Sequence, residues 1–296
     1  MLTTNVKYHW SAVLVAALLF GCDGEQSPAD REQGSIVKTE SAPGESESPE
    51  QKAAPATVTI AGTGLTLDLP AGYGKAENSE RLYPIVIDGR WGARWAFTDE
   101  VRARYPAFFL SYQKSSEADG EALSDVLDAA IAQGHRIDLN RVYLIGFSAG
   151  GSGSYKLARG LAKKGKLFAA INRVAGQSET LLPDGAVAAT SIWLHIGTAD
   201  EPVRIEVTRD AYNNLKNHPL NKSATETAAT DEDVIGFKRV TRTLTKDGVE
   251  IVKYSVCEGM GHDPKPVYKD PEVLKWMFAQ SLERRKARPD NADRQP

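Results

Sequence analysis

Short apolar and β-branched runs alternate along the chain with longer stretches whose apolar positions recur at helical spacing. The first kind is read as strands and the second as helices. Strands are expected at Thr57–Ile60 and Leu65–Leu69, joined as a hairpin across Gly62-Thr63-Gly64, then at Pro84–Asp88, Phe108–Ser111, Arg141–Ile145, Phe168–Val174 and Ser191–Gly197. Within Glu121–Gln133, Leu123, Val126, Leu127, Ala130 and Ile131 fall on one helical face and Gly134 follows as a stop. Further helices are expected at Ala149–Lys164 and Pro271–Arg284, and a hairpin over Val240–Cys257 turning at Asp247-Gly248. The stretch Asn217–Gly236 is polar and reads as an insertion too small for a lipase-type lid. With no internal repeat, strands alternating with helices predict an α/β domain with a mostly parallel central sheet flanked by helices.

The ends of the chain break that alternation. Lys7 precedes an apolar run from Ala12 to Phe20, which ends at Gly21 and Cys22. A span of the bilayer takes about 20 apolar residues, so this run reads instead as the core of a secretory signal peptide over residues 1–21. Leu19-Phe20-Gly21-Cys22 resembles a bacterial lipobox, which implies a lipidated Cys22 as first mature residue; two or three acyl chains there would give a stable membrane anchor. Residues 22–56 are rich in Ser, Pro, Glu, Gly and Ala and carry eight acidic against three basic side chains. Such a stretch cannot build a core and is expected to be a disordered tether with a span on the order of 30 Å. The folded domain is then expected over residues 57–284, with a polar tail over 285–296. The protein is expected to leave the cytoplasm and stay lipid-anchored to a bacterial membrane, periplasmic or at the cell surface.

Composition changes little in this picture. An apolar fraction of 41% and a charged fraction of 25% suit a packed soluble domain. A net charge of -3 provides no basic field for a phosphate backbone, which argues against nucleic acid as a partner. With Cys22 assigned to lipid, Cys257 has no partner for an intramolecular disulfide, and its apolar strand context reads as a buried small hydrophobe. No cofactor and no metal site are expected.

The chemistry is concentrated at Gly146-Phe147-Ser148-Ala149-Gly150, a G-x-S-x-G pattern at the junction of an expected strand and an expected helix. A turn that tight needs nearly bare residues two before and two after the serine, and it holds the hydroxyl up at the sheet edge. A hydroxyl becomes a useful nucleophile only when a base takes its proton, so a histidine and a carboxylate must follow. Asp200, just past the strand Ser191–Gly197, is the favoured acid, although it could instead cap the next segment. Of the later histidines, His262 lies in the glycine-rich loop Gly259-Met260-Gly261-His262 after the last strand and is favoured over His218, in a polar loop after a helix. His195 precedes the acid and reads as a packing residue with a satisfied hydrogen bond.

Taken together, the elbow, the phrase His195-Ile196-Gly197-Thr198-Ala199-Asp200-Glu201-Pro202-Val203 and the loop ending at His262 resemble the esterase branch of the α/β-hydrolase superfamily. That branch includes polyhydroxybutyrate depolymerases, feruloyl esterases and acetylxylan esterases. The resemblance covers about Thr57 to Arg284 and implies an α/β-hydrolase fold, a Ser148/Asp200/His262 triad and ester hydrolysis through an acyl-enzyme. Such chemistry also needs oxyanion donors. One is expected from the Ala149 N–H, the other from Arg90 or Trp91 in Asp88-Gly89-Arg90-Trp91-Gly92, where Asp88-Gly89 replaces the family's usual His-Gly. Arg90 is an available partner for the Asp88 carboxylate. Trp91, Trp95 and Phe97 could wall an acyl or aromatic pocket or equally belong to the core. An uncovered site favours short-chain, soluble or polymer-surface esters over long lipids, and with the resemblance the expected substrates are short-chain, aromatic, sugar-linked or polymeric esters. Two other readings stand beside this one, a serine peptidase of the same fold and a catalytically inactive surface-binding lipoprotein.

Overall fold

The structure, a computed structural model, describes residues 56–91, 94–178, 185–234 and 236–286. The expected signal peptide and Cys22 lie outside the described residues, as do the tether up to residue 55 and the tail from residue 287. In chain order the elements are β1 (Thr57–Ile60), β2 (Leu65–Asp68), β3 (Tyr83–Asp88), α1 (Asp99–Arg104), β4 (Phe108–Ser111), α2 (Glu117–Ala132), β5 (Ile137–Phe147), α3 (Ala149–Lys163) and β6 (Ala170–Val174). There follow α4 (Gly185–Ala188), β7 (Ser191–Gly197), α5 (Pro202–Asn217), β8 (Thr225–Val234), β9 (Phe237–Lys246), β10 (Val249–Cys257), α6 (Lys265–Lys269), α7 (Pro271–Phe278) and α8 (Leu282–Lys286).

The strands form one sheet in the order β1-β2-β4-β3-β5-β6-β7-β10-β9-β8. Its middle is parallel, with Val86 opposite Phe109 and Tyr143, Asn172 opposite Ile145 and Trp193, and Ile192 opposite Val252. Antiparallel hairpins close both edges. This arrangement follows from the sequence, because strands covered on both faces must be apolar almost throughout, and β3 and β7 are buried along their whole length. Trp193 meets Trp276 of α7 edge to face at 5.4 Å, and the Tyr143 hydroxyl donates to Gln280 O at 2.9 Å, which seats α7 on the sheet. Helices α2 and α3 touch nearly backbone to backbone, since a Cβ at Gly160 would stand 1.9 Å from Glu117 O.

The chain leaves β3 for β4 on one side and then crosses back to β5 on the other. Such a reversal opens a crevice at the carboxyl ends of the parallel strands. At this sheet's reversal those ends are Asp88 and Phe147.

Four departures from the sequence expectations have local causes. Helix α2 begins at Glu117, before its first apolar position, because Ser116 Oγ accepts the Asp119 N–H at 3.1 Å while the Asp119 carboxylate accepts the Ser116 N–H at 2.9 Å. The polar insertion contains an edge strand, β8, paired with β9 at Thr230 and Thr241; exposed at almost every position, it carries no apolar alternation to announce it. The single closing helix is two, α7 and α8, with Ser281 Oγ accepting the Arg284 N–H at 3.1 Å where the chain restarts. Arg285, in the stretch expected as tail, donates to Ala188 O and to Ser191 Oγ, and burial lowers its pKa to about 10. Cys257 is buried, and burial pushes its thiol up.

Candidate active site

Strand β5 delivers Phe147 to the crevice, and Ser148 turns the chain into α3 with φ 53° and ψ -117°. A serine in that region is strained and persists only where its surroundings hold it. Here the Ser148 N–H donates to Val174 O at 2.9 Å. The flanking glycines are required by space. A Cβ at Gly146 would come within 2.5 Å of Gly150 O, and one at Gly150 within 1.9 Å of Arg90 O.

The loop after β10 brings His262 over the elbow. Its Nε2 lies 3.0 Å from Ser148 Oγ and its Nδ1 lies 2.9 Å from Asp200 Oδ2. A carboxylate only accepts, so Nδ1 carries the proton, which leaves Nε2 of the neutral ring as the acceptor for the Ser148 hydroxyl. The ring rests on Phe147 at 4.4 Å and its side chain is 32% exposed, so the serine end is open to solvent while the 1% exposed Asp200 carboxylate is not. Asp200 Oδ1 accepts from the Glu201 N–H at 2.7 Å and from Arg204 Nη1 at 3.3 Å. The acid and histidine loops are strapped together, since the Ala199 N–H donates to Met260 O at 3.1 Å and the Gly259 N–H to Thr198 Oγ1 at 2.8 Å.

Beside the elbow, the loop after β3 is less simple than the sequence suggested. Ala149 is the first residue of α3, so its N–H has no partner within the helix. The Trp91 N–H, however, is engaged, donating to Gln113 Oε1 at 3.0 Å. Trp91 sits at φ 69° with its residue 56% exposed, so it is no core aromatic. The Arg90 guanidinium lies 5.8 Å from the Trp91 ring centroid, and the buried Asp88 carboxylate accepts from Gln113 Nε2 at 3.3 Å. Burial, with Asp88 adding to it, pushes the Tyr268 phenol upward. The side chain of Trp95 lies outside the described residues.

The other histidines stand apart from this cluster. His218 caps the turn after α5, its Nδ1 accepting the Leu220 N–H at 3.2 Å. His195 is buried and stacked on Trp193 at 4.9 Å, but among the described residues its Nε2 has no hydrogen-bond partner, contrary to the satisfied residue expected. Among the described residues no group of three His, Cys, Asp or Glu is placed to hold a metal ion, and no helix is long and apolar enough to cross a membrane.

Sequence reasoning missed the residues that brace the elbow. Arg173, fully buried on β6, donates from Nε to Gly151 O at 2.9 Å and from Nη2 to Ser178 O at 2.6 Å. Ser152 Oγ accepts the N–H groups of Gln177 and Ser178 at 2.9 and 3.0 Å. A charged residue inside an otherwise buried parallel strand was the available signal for Arg173.

A thermostable esterase of known structure resembles the chain with a TM-score of 0.51 at 21% identity, over 76% of this chain and 62% of that one. An acetyl xylan esterase from Aspergillus awamori gives 0.51 at 14% identity, over 77% of this chain and 100% of that one. This is the α/β-hydrolase fold. The chain spans less than two thirds of the length of the thermostable esterase, and at these identities the likeness carries the fold alone. No family model matches the chain, and no curated protein sequence matches it. In an α/β-hydrolase fold the strand order and the elbow account for where Ser148 stands, at the carboxyl end of a central strand beside the reversal in sheet order.

Proposed function

We propose that the protein is a serine hydrolase that cleaves carboxylic esters through an acyl-enzyme. One observation carries this reading: Ser148 Oγ, His262 Nε2, His262 Nδ1 and Asp200 Oδ2 form a continuous hydrogen-bonded chain with separations of 3.0 and 2.9 Å, on a strained elbow.

His262 Nε2 accepts the Ser148 proton as Oγ bonds to the ester carbonyl carbon. The carbonyl π electrons move to oxygen, and the Ala149 and Arg90 N–H groups stabilise that oxyanion. Trp91, with its amide given to Gln113, supplies its exposed ring to the rim rather than its N–H. The imidazolium then returns its proton to the leaving alkoxide as the C–O bond breaks. Water repeats the sequence on the acyl-enzyme and frees the acid and Ser148. Asp200 stays ionised throughout, fixing the ring tautomer and stabilising the imidazolium.

The open serine end supports short-chain, aromatic, sugar-linked or polymeric esters as substrates, in keeping with the esterase names of the two structural neighbours. We also propose that the enzyme is exported and held at a bacterial membrane through lipid on Cys22; a palmitate label incorporated by the parent and absent from Cys22→Ala would support this.

A fluorophosphonate probe tests the central claim. Labelling should occur in the parent and vanish in Ser148→Ala, with p-nitrophenyl acetate turnover lost alongside it. Turnover of peptide amides without any ester activity would overturn the ester assignment, and equal labelling of both proteins would remove Ser148 as nucleophile.

A further inference from the structure

Gln113 stands just beyond β4, where the ladder with β3 is extended by the Tyr112 N–H donating to Asp88 O at 2.8 Å. Its carboxamide is directed mainly at the end of β3 and the loop that follows it. Oε1 accepts the Trp91 N–H at 3.0 Å, and Nε2 faces Gly89 O at 3.1 Å, Asp88 Oδ2 at 3.3 Å, Asp88 O at 3.4 Å and Ser111 Oγ at 3.4 Å. The two amide protons are shared among those acceptors. Reversing the amide would set an oxygen against two carbonyls and a carboxylate, so the orientation is fixed by its surroundings.

These contacts reach residues 88, 89 and 91 and pass over Arg90. That residue is the one pressed on the elbow, with its nitrogen 3.1 Å and its oxygen 1.9 Å from where a Cβ on Gly150 would sit. Trp91 is held at φ 69° with its N–H already donated to Gln113.

Resting on the esterase reading above, we infer that Gln113 is a positioning residue for the oxyanion site: it withdraws the Trp91 amide, leaves the Arg90 N–H as the second donor, and keeps Asp88 hydrogen-bonded so that its charge does not oppose the developing oxyanion. The role requires a neutral side chain that both accepts and donates. Glutamate at 113 would keep an acceptor for Trp91 but turn a second carboxylate toward Asp88 and Gly89 O. Methionine would keep the length and lose both functions.

The test uses the parent, Ser148→Ala, Gln113→Glu and Gln113→Met. Loss of an oxyanion donor lowers kcat by about 100- to 1000-fold; a donor misplaced rather than deleted should fall short of that, and about 10- to 100-fold is expected for both Gln113 variants, with KM within about threefold. Affinity for a boronic acid, whose adduct with the serine is tetrahedral and anionic, should fall in step with kcat/KM. Hydrogen exchange of the Trp91 amide should accelerate while the amides of β5 stay protected. A residue that only stabilised the fold would not separate kcat from KM or single out the tetrahedral adduct. Folded Gln113 variants that retain kcat/KM and boronate affinity within about twofold of the parent would overturn the inference. So would an activity loss mirrored by exchange throughout β5, since that marks general unfolding. Failure of the esterase reading would show elsewhere, as a parent without ester turnover or a Ser148→Ala protein that keeps it, and would take this inference down with it.

Discussion

Arg204 Nη1 lies 3.3 Å from Asp200 Oδ1, the carboxylate oxygen left over once Oδ2 has accepted the His262 Nδ1 proton at 2.9 Å. Arg204 sits four residues beyond Asp200, on the first turn of α5, and also reaches Glu201 Oε2 at 2.8 Å and Gln177 Oε1 at 3.4 Å. The guanidinium therefore fixes the rotation of the acid that in turn fixes the imidazole.

Arg204→Met should lower kcat without abolishing it. Oδ1 would keep the Glu201 N–H at 2.7 Å, so Asp200 has a remaining tether. A misplacement of 1 Å costs on the order of 100-fold, and a partly tethered acid should lose about tenfold in kcat with little change in KM. Steady-state kinetics on a p-nitrophenyl ester decides the matter, and an unchanged kcat would show that the Glu201 amide alone is enough.

The histidine loop makes a steric prediction. A Cβ on Gly197 would stand 1.9 Å from Met260 O and 2.8 Å from Met260 Cβ, so Gly197→Ala must push back the segment that carries His262. Overpacking of this kind typically costs about 1–3 kcal/mol, and ester turnover should fall with it. Gly261, next to the histidine itself, has nothing within 4 Å of its would-be Cβ, and Gly261→Ala should change stability by no more than about 0.5 kcal/mol. Urea unfolding and turnover of the two variants would reveal whether they are equally damaging, in which case crossing of the loop at Gly197 is not what places His262.

The parts of this site that could be read in the sequence were those with a signal local to the chain. Ser148 is flanked by the two glycines that its turn requires, Asp200 follows the apolar strand Ser191–Gly197, and His262 follows the last strand in a glycine-rich loop. The central strands were legible for the same reason, being continuous apolar runs. Gln113 and Ser152 hold their loops through contacts 22 to 26 positions away, and nothing within a short window distinguishes such side chains from ordinary polar ones, whereas Arg173 was marked only by its charge inside an apolar strand. Arg204 was nearer to view, since an acid and an arginine four apart at a helix start form a recognised pairing. Strand β8 escaped because an exposed edge strand needs no apolar face.

Asp270 joins two roles at the far end of the histidine segment. Its carboxylate pairs with the buried Arg239 guanidinium and accepts the Glu272 N–H at 2.9 Å as the N-cap of α7. Asp270→Ala should cost less than the roughly 3–5 kcal/mol of a fully unpaired buried cation, because Glu232 Oε2 still accepts from Arg239 Nη2 at 2.6 Å, with about 1 kcal/mol more from the lost cap. Asp270→Asn keeps a capping oxygen and should be the less damaged by about that last increment. Chemical denaturation of both variants checks the ordering, and equal losses would mean that the cap contributes nothing.

His195 predicts how stability depends on pH. It is fully buried on β7, and burial first, then the nearby Arg239 and Lys253 charges, hold its pKa well below the ordinary 6.5. The native state keeps the ring neutral while the unfolded chain takes up a proton below about pH 6.5, so acidification favours unfolding. Its contribution is complete above that pH and falls by up to about 1.4 kcal/mol per pH unit below it, until the folded pKa is reached. His135, lowered by burial, acts in the same direction. Glu117 and Glu226, lowered chiefly by hydrogen bonds from Lys163 and Lys216, hold their contribution above the ordinary 4.5 and lose it only as pH falls further. Between pH 6.5 and 5 the histidines therefore govern this slope among the shifted groups. His195→Gln, similar in size and unable to titrate, should flatten the decline in urea-unfolding free energy across that interval, whereas a slope matching the parent's would mean that His195 already takes up its proton in the folded protein.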